Sequence, residues 1–375
     1  MEAVKRNILL TPGPATTTES VKRAQIVPDI CPREAEFGSL LAYVSEQLTR
    51  LVADPNLYTT VLFGGSGTAA VEAMLSSAVG SEAAVIVNNG AYGQRMCDIA
   101  ETYGIPFLEF VSPPAEAVDL AALESFIAGS PRKISHLAVV HHETTTGLLN
   151  DVASIGELCR NYRIELLVDA ISSFAAVPVR MYDFNISYLA ASSNKNIQGM
   201  PGIAFVIADK SRLESLRNNK PRSYYLNLFA QYDYFARTRQ LRFTPPVQTF
   251  YALKQAIEEL KTEGIEARYK RYSASWSVLI EGIARLGLKH LVDPRHHAKI
   301  VTAIMEPCAS GYDFQEMHDF FYEKGFTIYP GKLDGMNTFR IANIGDITFK
   351  DIEAFLQLLG VYLGNIGYTK PKGGV

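Results

Sequence analysis

Three short stretches of the sequence carry groups that could do chemistry. The first is the glycine-rich segment FGGSGT at 63–68, which lies between a β-rich run and a helix-like stretch. Glycines let the backbone approach a ligand closely, and the start of a helix offers unpaired N–H groups at the positive end of its dipole. With the hydroxyls of Ser66 and Thr68 as further donors, the segment is a candidate phosphate-binding loop. Glycine-rich turns of this kind also occur simply as tight turns.

The other two stretches place a charged residue after an apolar run. Asp169 follows IELLV at 164–168, and Lys195 comes shortly after the apolar segment 188–191. A carboxylate at the C-terminal end of a parallel strand lies at the sheet edge where open α/β folds bind ligands, although it could also cap a following helix. A lysine just beyond a buried strand can be desolvated, which lowers its pKa and frees its amine as a nucleophile. A lysine in a solvated loop would keep its charge.

Together these three features fit one cofactor, pyridoxal phosphate. This cofactor requires an anion-binding loop for its phosphate, a carboxylate that keeps its pyridine nitrogen protonated, and a lysine that forms a Schiff base. The order of loop, Asp169 and Lys195, each near the end of a predicted strand, is more specific than any one feature. The sequence therefore predicts a pyridoxal phosphate site with Asp169 and Lys195 as catalytic residues.

Competing motifs fit the glycine-rich segment less well. Residues 65–70 match the loose dinucleotide pattern G-x-G-x-x-A, so an NAD-dependent dehydrogenase stays a distant alternative. That pattern calls for an acidic residue about 20 residues further on, and the corresponding stretch VIVNNG at 85–90 has none. The chain lacks the Gly-Lys-Ser/Thr of a P-loop, and Thr68 breaks the G-x-S-x-G pattern of α/β-hydrolases. The triplet His-His-Glu at 141–143 is interpreted as a strand end, so no metal site is predicted.

The elements that must position these residues alternate along the chain. Short, fully apolar strand candidates are separated by stretches whose apolar residues have helical spacing, a pattern typical of a mostly parallel sheet covered on both faces by helices. The fold class is therefore predicted to be α/β. The predicted strands span 58–63, 83–87, 106–111, 137–140, 164–168, 188–191 and 203–207, and the predicted helices span 33–52, 69–78, 93–102 and 152–162.

The pattern changes after residue 264 and suggests a second, smaller domain. Helices are predicted over about 265–286 and 348–362, and strands over 300–305 and 338–342. Thr348 is the expected N-cap of the last helix, whose buried face comprises Ile352, Phe355, Leu356 and Leu359. We predict an N-terminal arm over 1–19, a large cofactor-binding domain over 20–263 and a small α+β domain over 264–375.

The composition is that of an ordinary soluble enzyme. The 375 residues include 36 Lys+Arg and 39 Asp+Glu, which gives a formal net charge of −3, and 47% are hydrophobic. These values exclude an intrinsically disordered chain and offer no basic face for nucleic acid. No uncharged run reaches the ~18 residues of a membrane helix, so no membrane partner is expected. Four scattered cysteines without a C-x-x-C motif fit a cytoplasmic protein with reduced thiols.

Nine stretches distributed along the chain carry a family resemblance. They are LLTPGPATTT (9–18), DICPRE (29–34), FGGSGTAAVEA (63–73), NNGAYGQRM (88–96), ETTTGLLND (143–151), VDAISSFAAVP (168–178), SSNKNIQGMPG (192–202), RFTPPV (242–247) and FRIANIG (339–345). In this order they make the sequence resemble the class V aminotransferases over essentially its whole length. The resemblance implies the pyridoxal phosphate-dependent transferase fold of type I.

The resemblance also implies roles for individual residues. Lys195 would bind the cofactor covalently and then move a proton, and Asp169 would pair with the pyridine nitrogen. Arg340 would clamp the acidic group of the substrate, since its planar fork suits a carboxylate or a phosphonate. The other implied cofactor-binding residues are Ser66, Gly67 and Thr68 at the phosphate, Tyr92 stacked on the ring, Thr144 at the 3-oxygen side, and Thr244 with Arg242 reaching the phosphate of a partner chain.

A reaction and an assembly follow from the same resemblance. It implies transfer of the amino group of 2-aminoethylphosphonate to pyruvate, giving phosphonoacetaldehyde and L-alanine. Alanine–glyoxylate or serine–pyruvate transamination is the alternative within the family, because these enzymes share the cofactor apparatus and differ in the substrate pocket. The implied assembly is a homodimer with composite active sites.

Overall fold

The computed structural model describes residue 5 and residues 7–333 and 335–371 of the chain. Its strands are β1 (Ile8–Leu9), β2 (Tyr58–Gly64), β3 (Ala83–Asn88), β4 (Phe107–Val111), β5 (Ile134–Val140), β6 (His142–Glu143), β7 (Leu148–Leu149), β8 (Glu165–Asp169), β9 (Ile186–Ser192), β10 (Ile203–Asp209), β11 (Val301–Met305), β12 (Phe326–Thr327), β13 (Tyr329–Pro330) and β14 (Thr338–Ala342). Its α-helices are α1 (Glu19–Arg23), α2 (Ala35–Arg50), α3 (Gly67–Ala78), α4 (Ala91–Thr102), α5 (Leu120–Ala128), α6 (Val152–Tyr162), α7 (Lys210–Ser215), α8 (Leu228–Thr238), α9 (Val247–Glu263), α10 (Ile265–Arg285), α11 (Phe314–Glu323) and α12 (Phe349–Asn365).

A seven-stranded sheet forms the centre of the molecule, with the strand order β2-β10-β9-β8-β5-β3-β4. Strands β9, β8, β5, β3 and β4 pair in parallel, whereas β10 is antiparallel to both of its neighbours. The mostly parallel sheet predicted from the alternation of strands and helices is therefore confirmed. Its parallel strands all end at one edge, which is the edge where such folds bind ligands.

Both faces of this sheet are buried, which explains why its strands are apolar without interruption. Consecutive residues of a strand point to opposite faces. In β3, Val85 and Val87 belong to one core, and Ala84 and Ile86 belong to the other. Helices α2, α6 and α9 pack on the first face, and α3, α4 and α8 pack on the second.

A second, antiparallel sheet has the order β11-β14-β13. Helices α10, α11 and α12 enclose a separate core against it. Thr348 is the N-cap of α12 as predicted, and its N–H donates to Asp351 Oδ2 at 2.7 Å. Ile352, Phe355 and Leu359 form the buried face of this helix, also as predicted.

The N-terminal arm runs from a separate two-stranded sheet, β1-β12, to the loop after β9. Strand β1 pairs in parallel with β12, so that Ile8 lies opposite Phe326. Further along, the N–H of Ala15 donates to the carbonyl of Asn194 at 3.0 Å. The arm is extended up to α1, which begins at Glu19. The division of the chain at residues 19 and 263 remains a prediction.

Several helices differ from the predicted ones. Helix α3 begins at Gly67, two positions before the predicted start, because the end of the glycine-rich segment is already helical. Helices α5, α7, α8, α9 and α11 were not predicted, although α9 carries buried residues at helical spacing. In the part of the chain that the structure describes, no helix combines the length and apolar character needed to cross a membrane.

Candidate active site

Most of the predicted site residues lie at the C-terminal edge of the central sheet, whereas Arg242 and Thr244 do not line its cavity. Strand β8 ends at Asp169, and β9 and β2 end nearby on the same edge. A cavity at this edge is lined by four of the predicted site residues and by four residues that were not predicted to belong to the site. Its lining consists of Tyr92, Thr144, Asp169 and Lys195, together with Val140, His142, Ile171 and Ser172.

Asp169 is a buried carboxylate that accepts few hydrogen bonds to offset the cost of removing its charge from water. Its side chain is 4% exposed, and Oδ1 accepts one bond from the N–H of Ile171 at 2.9 Å. The chain after Asp169 forms turns rather than an α-helix, so the alternative role as a helix cap is wrong. Burial raises the pKa of Asp169 to about 6, and the nearby carboxyl of Glu143 acts in the same direction.

Lys195 lies in the loop after β9 and is partly buried. Its Nζ donates to the carbonyl oxygen of Pro12 at 2.6 Å. The pKa of Lys195 is lowered to about 8, mainly by burial; Asp169 opposes this shift, and the cations Arg340 and Arg95 add to it. Lys195 is therefore not a fully solvated loop lysine, and its amine is easier to deprotonate than that of an ordinary lysine.

The glycine-rich segment lies beside the same cavity. A Cβ atom at Gly67 would come within 2.8 Å of Ile171 Cδ1, so only glycine lets this backbone pack so closely against the cavity wall. Ser66 is the N-cap of α3, and its side chain makes no capping hydrogen bond. The guanidinium of Arg95 donates from Nη1 to Thr68 Oγ1 at 3.4 Å. The start of α3 thus combines helix N–H groups, two hydroxyls and a cation.

Glu143 is a site residue whose role sequence reasoning missed. The side chain is fully buried, and its Oε2 accepts from the N–H groups of Tyr92 at 3.0 Å and Gly93 at 3.3 Å. Its Oε1 accepts from the N–H and the hydroxyl of Thr145. Burial raises the pKa of Glu143, and these hydrogen bonds oppose that rise. The carboxyl group therefore anchors the start of α4 and with it Tyr92.

Two residues at the cavity have buried polar atoms without a hydrogen-bond partner. These atoms are Thr144 Oγ1 and both ring nitrogens of His142. Burial lowers the pKa of His142 well below its ordinary value, so the imidazole is neutral at neutral pH. Since an unpaired buried polar atom costs about 1–3 kcal/mol, the cavity is built for a polar ligand.

Arg340 lies in β14 and reaches the cavity from the second sheet. The side chain is 6% exposed, and it donates from Nε to the carbonyl of Pro330 at 2.9 Å and from Nη1 to that of Thr144 at 3.4 Å. Within residues 5, 7–333 and 335–371, no carboxylate pairs with Arg340. No ion pair among these residues therefore occupies the guanidinium of Arg340.

Within one chain, Arg242 and Thr244 do not line this cavity. Arg242 donates to the carbonyl of Tyr224 at 3.1 Å, and its guanidinium lies over the rings of Tyr224 and Phe243. Thr244 is exposed. Their expected role concerned a partner chain, so it remains a prediction.

A family model described as aminotransferase class V matches residues 29–334. The chain belongs to the class V aminotransferases. A 2-aminoethylphosphonate–pyruvate transaminase of Klebsiella pneumoniae subsp. pneumoniae is 40% identical over 356 residues, which cover 94% of this chain and 96% of the relative. A protein of the same name from Lactiplantibacillus plantarum is 39% identical over 362 residues, with 95% and 97% covered.

Solved structures of other aminotransferases share the fold. An alanine–glyoxylate aminotransferase from Nostoc sp. superposes with a TM-score of 0.89 at 25% identity, and covers 97% of this chain and 96% of that one. A pyridoxamine–pyruvate aminotransferase from Mesorhizobium loti superposes with a TM-score of 0.90 at 22% identity, with 99% and 95% covered. The predicted α/β transferase fold of type I is confirmed.

The cavity of this class V aminotransferase fits pyridoxal phosphate, the cofactor of the family. The start of α3 suits a phosphate, and the unpaired Thr144 hydroxyl offers a hydrogen bond to a polar ring substituent. Asp169 and Lys195 line the same space. Among the described residues, His, Cys, Asp and Glu side chains form no group of three or more that could hold a metal ion.

Proposed function

We propose that this class V aminotransferase transfers the amino group of 2-aminoethylphosphonate to pyruvate, giving phosphonoacetaldehyde and L-alanine. The observation that carries the proposal is Arg340, a buried guanidinium beside the cavity without a carboxylate partner in the described residues. A planar guanidinium binds a carboxylate or phosphonate through two parallel N–H···O bonds. The names of the Klebsiella and Lactiplantibacillus relatives support this pair of substrates.

We further propose which residues hold the cofactor. Ser66, Gly67 and Thr68 bind its phosphate at the start of α3, where a helix favours an anion. Thr144 donates to the 3-oxygen, and Tyr92 covers the ring. When bound, pyridoxal phosphate supplies a carbonyl group that carries the amino group between substrates and a protonated ring that withdraws electrons from the reacting carbon.

Lys195 is proposed as the residue that binds the cofactor and moves the proton of the amine-bearing carbon. A lysine with a pKa of about 8 is unprotonated in roughly one molecule in ten at pH 7, against fewer than roughly one in a thousand for an ordinary lysine. The bond to the Pro12 carbonyl holds Nζ in place before it reacts. Desolvation thus gives this residue a usable amine at neutral pH.

Asp169 is proposed to pair with the pyridine nitrogen. With a pKa of about 6 it is mostly ionised at neutral pH, yet within the described part of the chain it accepts a single hydrogen bond, from the backbone N–H of Ile171. A buried carboxylate with so little solvation strongly favours a cationic N–H partner. This preference is what keeps the ring nitrogen protonated.

Arg340 is proposed to orient both substrates. The donor has no α-carboxylate, and its phosphonate lies one carbon beyond the amine-bearing carbon. A guanidinium held by Pro330 and Thr144 can bind that group and present the reacting C–H to Lys195. Because both half-reactions use one cavity, the same guanidinium serves the carboxylate of pyruvate.

The active protein is proposed to be a homodimer whose sites are composite. Thr244 is exposed, and it is flanked by aromatic residues that pack on Phe243: Tyr224 is 80% exposed and Tyr225 is 40% exposed. An exposed aromatic cluster of this kind is typical of an interface. We also propose a cytoplasmic location, which the four free cysteines support.

Side-by-side transamination assays test the function. The purified protein is given 2-aminoethylphosphonate, L-alanine or L-serine as amino donor, with pyruvate or glyoxylate as acceptor. We expect the highest kcat/KM for 2-aminoethylphosphonate with pyruvate. A higher value for L-alanine with glyoxylate, or for L-serine with pyruvate, would assign the alternative activity within the family.

A further inference from the structure

Three cationic side chains lie close to one another at Tyr92. The guanidinium carbon of Arg95 is 4.7 Å from the ring centroid, and Nζ of Lys332 is 4.5 Å from it. Arg340 lies beside this pair, because its Nη1 donates to the carbonyl of Thr144, next to Glu143, whose carboxylate accepts from the N–H of Tyr92. After burial, the charges of Arg95 and Arg340 lower the pKa of Lys332. The nearest acid, Glu143, is committed to the N–H groups of Tyr92 and its neighbours.

Two of these cations donate hydrogen bonds within the described residues, whereas the third contacts only the face of the Tyr92 ring. Arg95 donates to Thr68 of the phosphate-binding segment, so its charge belongs to the cofactor side of the cavity. Arg340 donates to the carbonyls of Pro330 and Thr144. Lys332 makes neither a hydrogen bond nor an ion pair in the described ranges, and it remains exposed. Apart from its contact with the Tyr92 ring, its charge has no partner among the described residues.

The backbone ties Lys332 to Arg340. Strands β13 and β14 pair so that Tyr329 lies opposite Arg340, and the N–H of Gly331 donates to the carbonyl of Thr338 at 2.7 Å. Lys332 follows directly after this pairing. One hairpin of the second sheet thus carries both Lys332, which lies over the ring of Tyr92, and Arg340, which reaches the carbonyl of Thr144.

We propose that Lys332 is a specificity-determining residue that recognises the phosphonate of the amino donor together with Arg340. This inference rests on the proposed function. A carboxylate has two oxygens and one charge, which a single guanidinium fork satisfies. A phosphonate has a third oxygen and can carry a second charge. The ammonium of Lys332, which has no hydrogen-bond partner among the described residues, supplies the matching donor and cation.

If Lys332 recognises the phosphonate, its removal should change the KM values of the two substrates unequally. Removal of Lys332 leaves the guanidinium fork for pyruvate intact but leaves one phosphonate oxygen without a protein partner. The KM for 2-aminoethylphosphonate should therefore rise about 10-fold, whereas the KM for pyruvate should stay within about 2-fold.

The test uses the holoenzyme and three variants. Lys332→Met removes the charge at similar length, Lys332→Arg keeps it, and Lys324→Met removes an exposed charge elsewhere in the C-terminal region. Steady-state kinetics give KM for both substrates. In parallel, calorimetric titration of the holoenzyme with ethylphosphonate and with propionate, at a pH where the phosphonate is doubly ionised, measures anion preference without turnover.

We expect wild type, Lys332→Arg and Lys324→Met to prefer ethylphosphonate, and Lys332→Met to lose about 10-fold in affinity for it while its affinity for propionate is kept. An equal effect of Lys332→Met on both substrates, or no effect on either, would overturn the proposal. If the wild type does not transaminate 2-aminoethylphosphonate, the proposed function is wrong. The titrations with ethylphosphonate and propionate then decide, without the kinetics, whether Lys332 recognises a phosphonate. Equal binding of the two anions by the wild type, or an unchanged preference in Lys332→Met, would then reject the role of Lys332.

Discussion

Nζ of Lys195 donates a hydrogen bond to the carbonyl oxygen of Pro12 at 2.6 Å. The arm that carries Pro12 is therefore part of the candidate active site, in addition to pairing with β12. The next residue, Gly13, has a φ of +139°, and a Cβ atom there would lie within 2.7 Å of the Nζ, Cε and Cδ atoms of Lys195. Glycine is required at this position both for the backbone conformation and for the space that the lysine occupies.

Gly13→Ala should therefore displace Lys195 without removing it. We expect kcat for transamination to fall roughly 10- to 100-fold, because a shift of about 1 Å at a reacting group is costly. Gly364→Ala is the control, since a Cβ atom there meets nothing within 4 Å. Unchanged turnover in Gly13→Ala would mean that the arm does not position the lysine.

The sequence predicted which residues lie at the candidate site, but it did not predict which other residues contact them and hold them in position. Asp169 and Lys195 were found because each follows an apolar strand, and β8 and β9 are neighbours both in the chain and in the sheet. Pro12, Glu143 and Lys332 have no such local signal. Their partners come from distant segments, and the contacts exist only once the arm, the start of α4 and the β13–β14 hairpin have packed together.

The same distinction explains the result for the fold. The central strands were predicted because both of their faces are buried, which produces continuous apolar runs. Helix α9 was missed although Phe250, Leu253 and Ile257 have helical spacing, so there the signal was present and not used. The two-residue strands β6 and β13 carry no periodic signal, since pairing with a neighbour is all that defines them.

Lys195→Ala should lower transamination roughly 1000-fold or more while the protein stays folded. The reason is that a partly buried loop lysine contributes little to stability but provides the reacting amine. Borohydride reduction of the holoenzyme followed by peptide mapping should attach the cofactor to Lys195 alone. Lys210→Ala is a matched control, because Lys210 also donates to a proline carbonyl, that of Pro55 at 2.7 Å. A labelled peptide containing any other lysine would contradict the assignment.

Asp169→Asn should lower the activity of the holoenzyme but raise the stability of the apoenzyme. Asn keeps the shape of the side chain but cannot hold the pyridine nitrogen protonated, so we expect kcat to fall at least roughly 100-fold with the cofactor still bound. In the apoenzyme the same change should stabilise the fold. The pKa of Asp169 is raised to about 6 in the folded state, so the folded state binds this proton more tightly than the unfolded state does. The cost of the ionised group is absent below about pH 4, grows between pH 4 and 6 and is complete above pH 6.

Urea unfolding of the apoenzyme at pH 4 and pH 8 measures this difference. We expect Asp169→Asn to gain about 1–3 kcal/mol at pH 8 and to show no gain at pH 4. Asp54→Asn is the control, because exposed Asp54 likewise accepts from the N–H two residues further on. Equal stability of wild type and Asp169→Asn at both pH values, with normal turnover, would show that Asp169 is not the buried carboxylate of the site.

The composite site of the proposed dimer can be tested by mixing two inactive or weakened chains. Lys195→Ala removes the amine, and Thr244→Ala removes a proposed phosphate contact to the partner. If Thr244 serves the partner's site, each heterodimer contains one wild-type site and one site with both changes. We expect subunit exchange to restore wild-type cofactor affinity in about half of the heterodimer sites, measured by cofactor titration and turnover. No restoration, or a protein that sediments as a monomer while retaining its cofactor, would contradict the composite site.

Arg340→Lys tests substrate recognition in the proposed reaction. Lysine keeps the positive charge but loses the planar fork, together with the bonds that hold the guanidinium at Pro330 and Thr144. We expect a higher KM for both 2-aminoethylphosphonate and pyruvate, and a kcat/KM that is lower by about 30- to 1000-fold. This factor corresponds to about 2–4 kcal/mol for the loss of a desolvated charge contact. Cofactor affinity should be unchanged, because Arg340 is proposed to contact the substrate and not the ring. The matched comparison is Lys332→Met, which should raise the KM of the amino donor alone. If Arg340→Lys also changed the kinetics of the donor alone, a group other than Arg340 would bind the carboxylate of pyruvate. Unchanged kinetics with a lower melting temperature would instead make Arg340 a structural residue that links β14 to the cavity wall.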